Sequence, residues 1–340
     1  MILVTGATGF LGHKVCETLH KLGKPFTRSS LSAGVDLRDY KQTIDLFRQH
    51  QITRVINCAA YVGGIQFGLQ READLFHNNL LMTINILRAS YETKVRRIVN
   101  PISNCAYPAD ARYFKESGFW DGALHSTVMV YGMCRKTSWI GSQAYKRQYG
   151  LDTINMILSN MYGPGDHFDE ERSHALGAII MKIVKAKLNN EQAVLIWGSG
   201  KPLREWLYID DGAEAMIRGL DLESHDEIIN IGVGSGITII DLANEIKKLV
   251  GYTGELKLDK SKPDGAPFKM VDGSKGSKLL GWKPAIDLES GLKKTVDWYL
   301  QRVEQSSKLN LDKSNPIGTP LRMVKRSKDK LSSPKNQLHI

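Results

Sequence analysis

The feature that most constrains the fold of this chain is a glycine triplet near residue 10. Gly6, Gly9 and Gly12 follow the apolar stretch 2–5 and open an amphipathic run. Glycines at this spacing between a strand and a helix permit a tight turn, and they let a pyrophosphate approach the backbone N–H groups of the helix N-terminus. The sequence therefore predicts a dinucleotide site that includes Gly6, Gly9, Phe10, Leu11 and Gly12.

Short apolar runs alternate with amphipathic stretches over the first 160 residues, which is typical of a doubly wound parallel sheet. We predict strands over 2–5, 25–28, 54–58, 97–102 and 153–158, with helices beginning near Leu11, Tyr40, Ala73 and Tyr131. Beyond residue 160 we predict helices over 174–187, 238–250 and 288–299 and strands over 194–197 and 228–231.

These elements predict an α/β protein with a Rossmann-type doubly wound parallel sheet and a smaller C-terminal α/β substrate-binding domain. We expect the NADP(H)-binding domain over 1–160, with later segments returning to it. The substrate domain is expected over 161–305, and a basic flexible tail over 306–340.

The composition shows an excess of basic residues. Lys and Arg outnumber Asp and Glu by 46 to 36 among 340 residues, giving a net charge of +10. Lys and Arg are frequent beyond residue 302, among Ser, Asn and Pro, which indicates a solvated extension. We expect an anionic small molecule as the partner and no nucleic acid.

The apolar stretches are far shorter than the roughly 20 residues of a membrane span, and no secretory leader is recognisable. We expect no membrane insertion and a cytoplasmic location. The four cysteines, Cys16, Cys58, Cys105 and Cys134, show neither metal-ligand spacing nor the density of a disulfide scaffold. We therefore expect reduced thiols and no metal.

The end of the second predicted strand indicates which dinucleotide binds. Arg28 and two serines stand where NAD(H)-binding proteins carry a carboxylate, a group that would repel a 2′-phosphate. We predict NADP(H), with NAD(H) as an alternative. Four further residues are expected to line the cofactor, two near the adenine and two small ones after the third strand: Asp36, Leu37, Ala59 and Ala60.

Several motifs in order resemble those of the extended short-chain dehydrogenases/reductases, within the NAD-dependent epimerase/dehydratase family. They are Gly6-x-x-Gly9-x-x-Gly12, Ser103, Tyr131, Asn160-Met161-Tyr162-Gly163-Pro164 and Tyr208-Ile209-Asp210-Asp211. Within this family, Ser103-Asn104-Cys105-Ala106-Tyr107-Pro108, Ser173-His174 and the segment 197–205 are similar to those of the GDP-L-fucose synthase branch. The resemblance spans about residues 1–300.

The resemblance implies a reaction and its residues. Tyr131 would exchange a proton with the C4 oxygen of a 4-keto nucleotide-sugar while Ser103 holds that oxygen, and Cys105 and His174 would be the base and acid that invert C3 and C5. It also implies that Asn79, Tyr131 and the residue at position 135, Arg135, contact the cofactor. The residues implied to bind the sugar nucleotide, with GDP expected, are Asn160, His174, Lys182, Trp197, Arg204 and Lys269.

One position departs from the family. Its Tyr-x-x-x-Lys motif becomes Tyr131-x-x-x-Arg135 here. Arg135 keeps a positive charge for the tyrosine and the cofactor ribose but changes the hydrogen-bond geometry. Lys136 lies about 100° further round the helix and is not expected to substitute.

Three readings of the function therefore stay open. The first is an NADP(H)-dependent epimerase/reductase of a 4-keto nucleotide-sugar, and the second is a 4-epimerase or a single-step reductase or epimerase of the same fold. A non-catalytic nucleotide-binding protein is the third, because of Arg135. The resemblance further implies a homodimer formed through a helix bundle.

Overall fold

The computed structural model describes residues 1–309 as an α/β protein built around one parallel sheet. Its strands are β1 (Ile2–Thr5), β2 (Phe26–Arg28), β3 (Arg54–Asn57), β4 (Arg97–Ser103), β5 (Asp152–Leu158), β6 (Asn160–Tyr162), β7 (Ala193–Trp197), β8 (Leu203–Arg204), β9 (Trp206–Tyr208), β10 (Ile229–Ile231), β11 (Ile237–Thr238), β12 (Glu255–Asp259) and β13 (Phe268–Lys269). Its α-helices are α1 (Phe10–Lys21), α2 (Tyr40–Gln49), α3 (Ile65–Gln70), α4 (Glu72–Glu92), α5 (Met129–Tyr149), α6 (Ala175–Leu188), α7 (Ile209–Arg218), α8 (Ile239–Val250), α9 (Ser274–Leu280) and α10 (Leu288–Leu309).

The central sheet has six parallel strands in the order β10-β5-β4-β3-β1-β2. Because the chain moves outward from β1 to β2 and then returns to place β3 on the other side of β1, the strand order reverses between β1 and β3. In open α/β sheets, ligands bind in the crevice at the carboxyl ends of the strands beside such a reversal. The fold therefore places a binding site next to Gly6 and the end of β3.

Buried apolar side chains cover both faces of this sheet, as expected for parallel strands packed between helices. Val4, Ile56, Val99 and Ile154 are fully buried. Helices α1 and α7 pack against each other, as do α4 and α5. The predicted doubly wound α/β fold is confirmed.

A ladder of buried polar side chains crosses the middle of the sheet. Asn57 accepts from the Thr5 hydroxyl at 2.8 Å and donates to Asn100 at 3.1 Å, and Asn100 donates to Asn155 at 3.2 Å. Thr5 also accepts from the N–H of Ala59 at 3.1 Å. Buried amides are stable only when their partners are in register, so this ladder fixes the strand alignment and the start of the loop after β3.

Smaller sheets follow the central one along the chain. β7 pairs with β12, β6 with β9, and β8 lies between β11 and β13. Helices α6 and α8 pack together next to this part of the chain. The return of β10 to the central sheet beside β5 joins the later segments to the first half.

Most predicted elements agree with the observed bounds to within one or two residues, but the strands β6, β8, β9, β11, β12 and β13 and the helices α3, α7 and α9 were not predicted, and α10 extends to Leu309 rather than to residue 299. Asp210 and Asp211 do not cap α7, which begins at Ile209; the Asp211 carboxylate accepts from the N–H groups of Ala285 and Ile286 at 3.0 and 3.1 Å. None of the helices within residues 1–309 is long and apolar enough to cross a membrane. The predicted tail, 306–340, lies almost wholly outside the described residues.

Candidate active site

The glycine turn after β1 has the shape expected of a pyrophosphate cradle. Gly6 adopts a φ of +59°, and a Cβ there would lie 2.6 Å from the Cys58 carbonyl oxygen. A Cβ on Gly12 would overlap the Gly6 carbonyl oxygen. Gly9 precedes α1 without any side-chain cap, so the first N–H groups of the helix, which have no intrahelical partners, are available to an anion.

Arg28 at the end of β2 is exposed, and serine residues follow it in the chain. The hydroxyl of Ser32 hydrogen-bonds those of Thr8 at 2.9 Å and Ser30 at 3.1 Å. The N–H of Ala7 donates to Ser29 O at 3.0 Å, which holds this strand end against the glycine turn. One cation and a group of hydroxyls beside the cradle suit the 2′-phosphate of NADP(H).

The structure uses several predicted cofactor residues to shape loops. The Asp36 carboxylate accepts from Arg38 at 2.6–3.1 Å, and this pairing holds its pKa below the usual range. Leu37 is buried in the core with apolar residues of α2. Asn79 accepts from the N–H of Tyr61 and donates to its carbonyl, which anchors the loop that follows Ala59 and Ala60.

Ser103, Cys105 and Tyr131 come together at the carboxyl end of β4. A short turn over 104–106 begins after Ser103, whose hydroxyl accepts from the N–H of Cys105 at 3.1 Å. Helix α5 packs on this turn, and a Cβ on Gly132 would lie 2.5 Å from Cys105 O. The close approach that Gly132 permits brings the first turn of α5, which carries Tyr131, against the turn that follows Ser103.

Arg135 lies one helical turn after Tyr131 and stacks its guanidinium 4.9 Å from the centre of the tyrosine ring. The side chain is 5% exposed, and its Nε has no hydrogen-bond partner. A buried guanidinium without full hydrogen bonding is costly, which is the arrangement expected where a bound ligand supplies acceptors.

Lys136 points elsewhere, as the rotation of the helix predicts. Its ammonium donates to Phe119 O and lies 4.4 and 4.2 Å from the ring centres of Phe119 and Trp120. Burial lowers the pKa of Lys136. Lys136 therefore cannot take the place of the family lysine, and Arg135 is the cation beside Tyr131.

The Cys105 thiol faces a cation from the second half of the chain. Lys269 Nζ lies 3.2 Å from Cys105 Sγ. Burial opposes ionisation of the thiol, but the charge of Lys269, the Ser103 hydroxyl and the charge of Arg204 together hold the pKa of Cys105 below its ordinary value. By contrast, burial raises the pKa of Cys16 to about 11 and that of Cys58 further. Cys105 is thus the cysteine suited to acid–base chemistry.

His174 is the residue immediately before α6. Desolvation, with the charges of Lys269 and His167, lowers its pKa to about 4. The charges of Lys269 and His167 thus favour the neutral imidazole.

Three cations predicted to bind the substrate have no salt-bridge partner in the described part of the chain. Lys182 lies 4.7 Å from the ring centre of Trp197, which is 44% exposed. Arg204 donates to the carbonyl oxygens of Leu203 and Asp264. Within residues 1–309, Lys182, Arg204 and Lys269 have no carboxylate partner within 4.0 Å, and this positive surface suits a diphosphate.

Asn160 shapes this side of the crevice through its amide group. It donates to Glu205 O at 2.9 Å and accepts from Asn104 at 3.4 Å.

The motif analysis missed residues that complete this surface. Lys262 lies 5.3 Å from the Trp197 ring centre, and the Asp264 carboxylate accepts from the N–H of Ser199 at 2.6 Å. The turn 262–265, Lys-Pro-Asp-Gly, was the available signal. His125 was also missed, and its pKa is lowered by desolvation and by Lys269 and Arg204. No cluster of potential metal ligands occurs in the part of the chain that the structure describes.

Fold and site together are those of a dinucleotide-dependent enzyme family. The sequence profile of the NAD dependent epimerase/dehydratase family matches residues 2–232, and the chain belongs to this family. It is 38% identical over 305 residues to GDP-L-fucose synthase 1 of Arabidopsis thaliana, covering 89% of this chain and 94% of that protein.

Two solved structures share the architecture. A GDP-6-OMe-4-keto-L-xylo-heptose reductase from C. jejuni superposes with a TM-score of 0.82 at 28% identity, covering 88% of this chain and 97% of the other. A GDP-L-fucose synthetase from Naegleria fowleri bound to NADP has a TM-score of 0.79 at 29% identity, covering 89% and 93%. The family resemblance in the motifs is confirmed.

Proposed function

We propose that the protein is an NADP(H)-dependent epimerase/reductase of a GDP-linked 4-keto-6-deoxyhexose. The observation that carries the proposal is the Cys105 thiol, held 3.2 Å from Lys269 beside Ser103. A simple reductase needs no such thiol, whereas inversion of carbons next to a keto group needs a base.

The relatives support this assignment. The names of similar proteins include GDP-linked sugars, and one similar structure is bound to NADP. These matches cover 88% or 89% of this chain. The crevice offers a glycine cradle, unpaired cations and the unsatisfied Arg135 Nε, which fit a dinucleotide and a nucleotide-sugar.

The residues then divide the chemistry. NADPH, when bound, supplies the hydride that reduces C4. Tyr131 donates the proton to the C4 oxygen, Ser103 holds that oxygen by a hydrogen bond, and Arg135 favours the ionised tyrosine after the transfer. Arg135 also offers N–H donors to the cofactor ribose.

Cys105 and His174 act on the carbons next to the keto group. The Cys105 thiolate, favoured by Lys269, removes the C3 and C5 protons. His174 returns protons to these carbons as the acid of the pair, and the negative charge of a bound GDP-sugar favours its protonated form. Both changes precede reduction, because reduction removes the keto group that makes these protons acidic.

Incubation with NADPH and GDP-4-keto-6-deoxymannose tests the proposal. We expect oxidation of NADPH and a product inverted at C3 and C5, followed by cofactor absorbance and by NMR of the sugar. A product with uninverted centres would identify a single-step reductase. Inversion at C4 with no net consumption of cofactor would identify a 4-epimerase. Cofactor binding without turnover of any nucleotide-sugar would identify a non-catalytic protein.

Arg28 provides the test of cofactor choice. Arg28→Asp removes a charge-assisted contact and adds a repulsive carboxylate, so the Kd of NADPH is expected to rise by about 10- to 100-fold. The Kd of NADH should change little. Fluorescence titration of the parent protein and of the variant with each cofactor measures these Kd values. Equal affinities of the parent protein for NADPH and NADH would contradict the assignment.

The outer faces of α4 and α5 support a homodimer as part of the proposal. Phe76 and Ile84 on α4 and Met133 and Ile140 on α5 are all exposed, and their spacings of seven or eight residues place them along one side of each helix. Two adjacent helices with apolar stripes suit a second copy of the same pair, forming a four-helix bundle.

Ile140→Glu tests that interface. A charge in the bundle would be desolvated on association, so the variant is expected to be monomeric in sedimentation velocity while the parent protein is a dimer. The control is Leu188→Glu, which places the same charge at an exposed leucine at the end of α6, outside the proposed interface. A parent protein that sediments as a monomer would overturn the dimer.

The domain division and location complete the proposal. We infer that residues 1–160 together with β10 hold the cofactor and that most of 161–305 holds the sugar nucleotide. Four free cysteines support a cytoplasmic location.

A further inference from the structure

Glu205, which lies between β8 and β9, is a carboxylate with 0% exposure at the centre of a hydrogen-bond cluster. One oxygen, Oε1, accepts from the N–H groups of Val233 and Gly234. The other, Oε2, accepts from the Ser159 hydroxyl at 2.6 Å and from the N–H of Val271 at 2.9 Å. Burial raises the pKa of Glu205, and the four donors oppose that rise.

These donors come from three separate parts of the chain. Ser159 follows β5, Val233 and Gly234 follow β10, and Val271 follows β13. The backbone of Glu205 makes two further links, because its N–H donates to Lys269 O at 3.0 Å and its carbonyl accepts from Asn160 at 2.9 Å. One residue thus fastens the end of the central sheet to the strand that carries Lys269.

The Glu205 hydrogen bonds are linked to the Cys105 site through Lys269. Lys269 is two residues before Val271, and its ammonium reaches Cys105 Sγ at 3.2 Å. Glu205 holds the backbone of 269–271 at both ends, and Phe114 pairs with Met270 and Asp272 at 2.8 Å each. The carboxylate is therefore one of the groups that set the position of the ammonium. A Cβ on Gly232 would lie 2.8 Å from Oε1, so the neighbouring chain leaves Glu205 little freedom to move.

We propose that Glu205 is a positioning residue that holds Lys269 against Cys105 and thereby sets the readiness of the thiol to ionise. The inference rests on the proposed function for the role of Cys105 but concerns a residue that touches neither sugar nor cofactor. The titratable and charged groups near the thiol are Lys269 and Arg204, with His125 and His174 close enough to Lys269 to feel its charge.

Glu205→Gln separates positioning from general folding. An amide keeps one acceptor for Val233 and Gly234, but its NH₂ group meets the Val271 N–H as donor against donor. The Ser159 hydroxyl can turn to accept, whereas Val271 cannot. The substitution therefore loosens mainly the segment that carries Lys269.

The measurement is site-resolved alkylation of Cys105 by iodoacetamide against pH, quantified by mass spectrometry on the full chain. Only the thiolate reacts. We expect the apparent pKa of Cys105 to rise by about one unit in Glu205→Gln, so that alkylation below both pKa values slows about tenfold. Lys269→Met, which removes the charge itself, should give a larger rise.

Asp211→Asn is the matched control. Asp211 is a second buried carboxylate, 2% exposed, that accepts from two backbone N–H groups without contacting the segments next to Cys105. The Asp211→Asn variant should lose stability without a change in the reactivity of the Cys105 thiol. If Glu205→Gln fails to fold, Ser159→Ala removes one donor to Oε2 and should raise the thiol pKa in the same direction, though less.

The outcomes distinguish the role of Cys105 as a base from the positioning role of Glu205. A parent protein whose Cys105 titrates at the ordinary thiol pKa of about 8.5 would overturn the thiolate base of the proposed function. A parent thiol with a lowered pKa that is unchanged in both Glu205→Gln and Ser159→Ala would overturn the positioning role alone.

Discussion

Replacing Tyr131 by Phe is expected to lower kcat for reduction of the 4-keto sugar by at least roughly a hundredfold. The change removes one oxygen atom, the proton donor to C4, and leaves the ring on which Arg135 stacks. The Kd of NADPH should therefore stay within about twofold, since no cofactor contact that the proposal assigns to the ring or to Arg135 is lost. Single-turnover oxidation of NADPH, with a separate cofactor titration, measures both quantities.

Tyr149→Phe is the matched control, because Tyr149 is an exposed tyrosine at the far end of the same helix α5. Its turnover should equal that of the parent. An undiminished rate in Tyr131→Phe would remove Tyr131 from the mechanism.

Arg135→Lys is the companion variant, because it restores the residue that the family carries. If arginine is a handicap here, kcat rises in the variant. The stacking of the guanidinium on Tyr131 and its burial favour a site adapted to arginine, and we therefore expect kcat to fall. A shorter reach and the loss of the planar N–H donors are the physical reasons.

The fold could be predicted from the sequence because its elements are local and strongly patterned. Val4 and Ile56 belong to apolar runs that end in small or polar residues, and the glycine turn follows the first of these runs directly. The short strands β8, β11 and β13 could not be predicted in this way. Each has only two residues, and pairing with a distant segment, rather than local pattern, defines them.

In the candidate site, too, local motifs could be predicted from the sequence and contacts between distant segments could not. Ser103, Cys105 and Tyr131 belong to motifs within about 30 residues, and the close packing of Gly132 brings them together. The contact of Cys105 with Lys269 spans 164 residues and depends on how Glu205 joins three segments. No spacing rule reveals that contact, and the direction of the Cys105 pKa could not be predicted without it.

The last prediction separates epimerisation from reduction and concerns Cys105→Ser. A hydroxyl is far less acidic than a thiol, so Lys269 cannot keep an ionised base at this position in the variant. Removal of the C3 and C5 protons should slow, while Tyr131 still permits reduction of the unepimerised keto sugar. The variant should consume NADPH more slowly and release products with uninverted centres.

Deuterated water makes this difference visible at each carbon. The parent enzyme should place solvent deuterium at C3, C5 or both, because a proton removed by Cys105 is replaced from groups that exchange with solvent. Cys105→Ser should place much less, and the NMR spectrum of the product reports each position. If the parent reduces the keto sugar without any deuterium at these carbons, the protein is a simple reductase. Cys105 and His174 then lose their assigned roles, whereas Tyr131, Ser103 and Arg135 keep theirs, since hydride transfer to C4 needs no inversion at its neighbours.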